Sequence, residues 1–86
     1  MPEISRFYGI VIKMYFADHL PPHFHAEYGD QEALVDVNSL AVIAGRVPPR
    51  AMGMIVEWAS SHQEELREAW NRAKKLQLPG KINPLP

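Results

Sequence analysis

The sequence contains no cysteine. That excludes disulfides, thiolate metal sites and cysteine nucleophiles, and it fits a reducing interior, so a cytoplasmic location is expected. No stretch approaches the roughly 18 apolar residues needed to cross a bilayer. The opening Met1 to Phe7 carries Glu3 and no apolar run, so neither a membrane span nor a signal peptide is expected. Neither sign of charge is in excess: 9 Lys+Arg stand against 10 Asp+Glu, for a net charge of -1. That balance removes the simplest electrostatic case for nucleic-acid binding and leaves only local patches to consider. Internal repeats and low-complexity segments are also absent. What remains is ordinary globular composition, 47% hydrophobic and 22% charged over 86 residues, a length that suits one domain with a modest core.

The first half has the periodicity of strands. A short strand near Ile4 to Phe7 is followed by Gly9 and by the β-forming run Ile10 to Phe16. Pro21 and Pro22 cannot donate ladder hydrogen bonds, so Ala17 to Pro22 is a loop. His23 to Tyr28 and Gln31 to Asn38 each alternate polar with apolar, the period-two mark of a half-buried strand. Gly29-Asp30 between them suits a two-residue hairpin turn. Leu40 to Ala44 offers one more apolar piece.

The second half has the periodicity of a helix. Pro48 and Pro49 sit where a helix can begin. Ala51, Ile55, Trp58, His62, Leu66, Ala69, Trp70 and Ala73 then trace one stripe by steps of three and four. Pro79-Gly80 marks the stop, and an i,i+4 pair links Glu68 with Arg72. The expected fold class is α+β: a small antiparallel sheet of about four strands (about 3–44), one face covered by a long amphipathic helix (about 49–77), with an extended tail at 79–86. Ile10, Ile12, Met14, Phe16, Phe24, Ala26, Ala33, Val35 and Val37 would face the helix.

Strand parity then sends His23, His25 and Glu27 to the opposite, open face. The hairpin register sets His23 against Asp36, His25 against Leu34 and Glu27 against Glu32. Two carboxylates facing each other call for a cation, and Lys13 is the candidate. Asp18 and His19 hang at the loop end of the same strands. Three readings of this face stand side by side. His23, His25, Glu27 and Asp36 are candidate ligands of a divalent metal, although short His-x-His patterns arise easily and no cofactor is required. His23 or His25 are candidate acid–base catalysts for RNA cleavage, with Lys13, Arg46 and Arg50 available to the phosphate. The plainest alternative is a polar face covered by solvent or by a partner. Tyr15, His25 and Leu34 are candidate partner-binding residues, since Val11, Tyr15 and Leu34 leave apolar surface outward. Open sheet edges add a route to a partner or a homodimer. On the helix, Trp58 and Trp70 are core anchors and His62 a packed, hydrogen-bonded histidine. Arg72, Lys74 and Lys75 are candidate nucleic-acid contacts, weighed against simple helix-end electrostatics.

The opening Met1-Pro2-Glu3-Ile4-Ser5-Arg6-Phe7-Tyr8-Gly9, the block Met14 to Gly29 with its Pro-Pro-His-Phe-His core, Ala33-Leu34-Val35-Asp36, and Glu57-Trp58, His62, Glu65-Leu66 and Trp70 together resemble the small bacterial domain-of-unknown-function family 4160. The resemblance spans nearly the whole chain. It implies no settled activity and no agreed catalytic residues. It implies a partner, because such proteins are often encoded beside members of a second small family, domain-of-unknown-function 2442, in pairs that look like toxin–antitoxin modules. The leading expectation is therefore a protein-binding half of such a pair. An RNA-cleaving toxin and a nucleic-acid-binding regulator are the alternatives.

Overall fold

The computed structural model describes residues 2–86. Five strands come first: β1 (Glu3–Phe7), β2 (Ile10–Lys13), β3 (His23–Tyr28), β4 (Gln31–Asp36) and β5 (Val42–Arg46). They form an antiparallel sheet in the order β1-β2-β3-β4-β5. Two helices follow, α1 (Pro49–Ser60) and α2 (Gln63–Lys74). The class is α+β as expected, with five strands in place of about four and two helices in place of one.

Short turns produce the meander. Gly29 takes φ +61°, which lets two residues reverse the chain between β3 and β4. The resulting register is the one that strand parity requires, from Tyr28↔Gln31 back through Glu27↔Glu32 and His25↔Leu34 to His23↔Asp36. Along β2, Ile10 and Ile12 are buried, and Val11 and Lys13 are not. Met14, Phe24, Ala26, Ala33, Val35 and Val37 join the same core. Phe16 departs from the expected alternation and is 41% exposed. The reason is local: β2 ends at Lys13, and Ala17 turns the chain at φ +50°.

The helical stripe packs as its spacing predicts, with Ala51, Ile55 and Trp58 of α1 and Leu66, Ala69, Trp70 and Ala73 of α2 all buried. The predicted single helix breaks at Ser61-His62. The hydroxyls of Ser60 and Ser61 donate to the Glu57 carbonyl, competing with the next helical amides. His62 leaves the helical region at φ -130°, and α2 restarts with Glu64 and Glu65 in its first turn, where the helix dipole favours acids. His62 Nδ1 lies 2.6 Å from Glu65 Oε1, and its ring packs against Trp58. The helix also ends before residue 77. Leu76 adopts φ +60°, while the amides of Leu76 and Gln77 donate to the Ala73 and Arg72 carbonyls and close the last turn.

The tail is tied down. Ile82 is buried, its amide donates to the Ile4 carbonyl (2.7 Å), Trp58 Nε1–H donates to the Asn83 carbonyl (2.8 Å), and the Tyr8 hydroxyl donates to the Pro86 carbonyl (2.7 Å). The first of these bonds ties the tail to β1 at Ile4, and the last holds its end beside the β1–β2 turn.

Candidate functional site

The site is built where the loop from β2 returns to β3. Ala17 N–H donates to the Ala73 carbonyl at the end of α2, which anchors the loop, and Val37 N–H donates to the Pro22 carbonyl. Asp18 is thereby carried over the start of β3. Its Oδ2 lies 3.0 Å from His23 Nε2 and 3.2 Å from His25 Nε2. Its Oδ1 accepts the His19 amide at 2.8 Å. The outer ring nitrogens are also engaged: His23 Nδ1 is 2.8 Å from the Pro21 carbonyl, and His25 Nδ1 is 3.2 Å from Glu32 Oε2. Tyr15 sets its ring edge-on to His25 at 4.4 Å, and Trp70 of α2 lies 5.3 Å from His23.

Burial pushes the Asp18 carboxyl up, but the His19 amide and the two imidazoles outweigh it and hold the group below its usual range. Burial raises the Tyr15 hydroxyl. The Glu27 carboxylate, 3.1 Å from Lys13 Nζ, raises the Lys13 ammonium. Lys13 is thus the cation that the facing pair Glu27 and Glu32 requires, while Glu32 turns to His25.

A cavity of about 220 Å³ opens beside the cluster, lined by Asp18, His19, His23 and His25 together with Leu20, Pro21, Leu34 and Ile43. No Lys or Arg lines it. Ile43 belongs to β5, whose register skips it: Leu34 pairs with Ala44 and Val35 with Val42. This bulge adds a residue to the edge strand beside the cavity. All of β5 is exposed, including Val42 at 43% and Ile43 at 45%. Among the described residues no strand pairs with its outer side.

The family model for the domain of unknown function DUF4160 matches residues 9–71, a span from the β1–β2 turn to the middle of α2. The chain belongs to this family. No curated protein and no solved structure matches it.

In this DUF4160 chain the candidates sort as follows. His23 and His25 come together, but His23 is buried, only 5% exposed, instead of open, because the Asp18 loop and Trp70 close over it. Asp36 faces His23 across the ladder, yet its carboxylate accepts the Asn38 and Ser39 amides of the next turn and does not bond the imidazole. Glu27 is held by Lys13. Asp18 is the carboxylate that joins the histidines; its placement at the loop end of the strands was the available sequence signal. Tyr15, His25 and Leu34 lie together on the open face, each half-buried. Arg72 donates to the Pro79 carbonyl and stands 4.0 Å from Glu68, while Lys74 and Lys75 are exposed. Among the described residues no helix is long and apolar enough to cross a membrane.

Proposed function

We propose that this DUF4160 protein is a protein-binding module, one half of a bacterial toxin–antitoxin-like pair, and that it captures an extended segment of its small partner along β5. The observation that carries this reading is the asymmetry between the two sheet edges. The tail is bonded to β1 at Ile4 through Ile82, whereas β5 is exposed along its whole length, Val42 and Ile43 included. Natural sheets cover, charge, bulge or shorten their edges; β5 has a bulge and Arg46 but two large exposed apolar side chains beside them, which suit an added strand. The groove beside it, with Leu20 71% exposed and Leu34 and Ile43 in its wall, supplies a pocket for one side chain of that strand.

A ribonucleolytic use of His23 or His25 has less support, because Lys13 is committed to Glu27 and, among the described residues, no Lys or Arg lines the cavity to meet a phosphate. Co-expression with the product of the neighbouring gene should yield a complex that survives purification. Ile43→Lys on the edge and Leu34→Asp in the groove should each weaken it at least tenfold, and His25→Ala should weaken it less. A partner that fails to co-purify over a range of salt, or a complex indifferent to Ile43→Lys, would overturn the reading.

A further inference from the structure

We infer that Asp18, His23 and His25 form a binding site for a divalent first-row transition ion, Zn²⁺ in the first place, with coordination positions left open toward the apolar cavity. The site borders the cavity offered above to a partner side chain, but the inference does not rest on partner capture. It begins with donor and acceptor bookkeeping. A neutral imidazole has one N–H and one lone pair, and carboxylate and carbonyl oxygens only accept. Both nitrogens of His23 face acceptors, the Pro21 carbonyl and Asp18 Oδ2. Both nitrogens of His25 also face acceptors, Glu32 Oε2 and Asp18 Oδ2. A neutral ring at either position therefore points a lone pair at an oxygen. A dication seated among His23 Nε2, His25 Nε2 and Asp18 Oδ2 removes both conflicts at once.

The geometry suits that ion. The three ligand atoms lie within 4.8 Å of one another, and the two nitrogen–oxygen separations are 3.0 and 3.2 Å. Ligands held at ~2.1 Å from a metal stand about 3.0–3.4 Å apart, and both nitrogen–oxygen separations fall in that range. Each ligand is also oriented from behind. Nδ1–H of His23 donates to Pro21 O, Nδ1–H of His25 donates to Glu32, and Asp18 Oδ1 accepts the His19 amide. Such outer bonds, which fix the tautomer and the ring plane, accompany metal-ligating histidines almost without exception. Two imidazoles and one carboxylate without thiolate select zinc, iron, cobalt or manganese over calcium and magnesium. The cavity of about 220 Å³ leaves room for water or a small ligand to complete the shell.

The test is a Co²⁺ titration of the chelator-treated, folded protein, followed by its visible ligand-field bands and by Zn²⁺ displacement. One ion per chain should bind at micromolar metal. Asp18→Asn and His25→Ala should weaken binding by at least ~100-fold, Glu32→Ala by about 10–100-fold as the loss of an outer bond, and His62→Ala not at all. Folding of each variant is checked by circular dichroism. Long-range nitrogen NMR of the wild type gives a readout that needs no variant: Zn²⁺ should move the Nε2 resonances of His23 and His25 and leave His62 in place. Absence of a saturable site in the wild type, equal affinity in His25→Ala, or shifts confined to His62 would each overturn the inference.

Discussion

Replacing Gly45 by alanine tests how β5 is held to the sheet. Gly45 takes φ +69°, and a Cβ built there would collide with the Glu32 backbone carbonyl oxygen. The left-handed conformation alone costs an alanine about 1–2 kcal/mol. The contact is with backbone, so no side chain can rotate away; β5 must move off β4 and lose one or two ladder bonds at about 1 kcal/mol each. The sum is about 2–4 kcal/mol, a large share of the ~5–10 kcal/mol expected for a chain this short. Gly53 is the internal control. It lies in α1 with nothing within 4 Å of an added Cβ, so Gly53→Ala should stabilise by about 0.5–1 kcal/mol. Urea unfolding followed by circular dichroism measures both. The two glycines should respond with opposite sign, and Gly45→Ala should also weaken partner capture. A Gly45→Ala protein within about 0.5 kcal/mol of wild type would refute the close packing of β5 on β4.

Three further outcomes follow from particular contacts. Trp58→Phe removes the bond to the Asn83 carbonyl and leaves a void beside Phe7 and Phe24, so it should cost about 2–3 kcal/mol and speed proteolysis of the tail; an unchanged tail would show that Ile82 and Tyr8 hold it without Trp58. Asp18 ionises more readily when folded, so its contribution to stability is complete above the unfolded value near 4 and is lost as pH falls through the lower folded value. Thermal midpoints of metal-free Asp18→Asn should therefore fall less steeply than wild type over that acid window, and parallel curves would contradict the assignment. Lys13→Ala should lower the thermal midpoint at low salt and lower it less at high salt, because it leaves Glu27 without its cation opposite Glu32; equal effects at both salts would count against the pair.

Much of this architecture is legible in the sequence because the β3–β4 hairpin is over-determined. Gly29-Asp30 fixes the turn, and alternation of Phe24, Ala26, Ala33 and Val35 with polar residues fixes the faces, so every cross-strand partner follows. The helical stripe from Ala51 to Ala73 is legible for the same reason, and it stays continuous across the Ser61-His62 break. The break itself lacks the usual Pro or Gly signal and depends on two serine hydroxyls bonding backwards. Asp18 is the larger omission. It reaches the histidines through a loop held by Ala73 at the far end of the chain, a contact that no local pattern encodes. The burial of His23 likewise comes from Trp70, nearly fifty residues away in sequence. Asp36 looked like a histidine partner by register alone, but the short turn to Asn38 and Ser39 claims its carboxylate first.

Amide hydrogen exchange of the free protein and of its complex with the neighbouring gene product bears most directly on partner capture. The outward-facing amides of Val42–Arg46 should exchange quickly in the free protein and slow at least tenfold in the complex, with the amides of β1 unaltered. Protection appearing instead on the outer surfaces of α1 and α2, with β5 left as fast as before, would contradict the account.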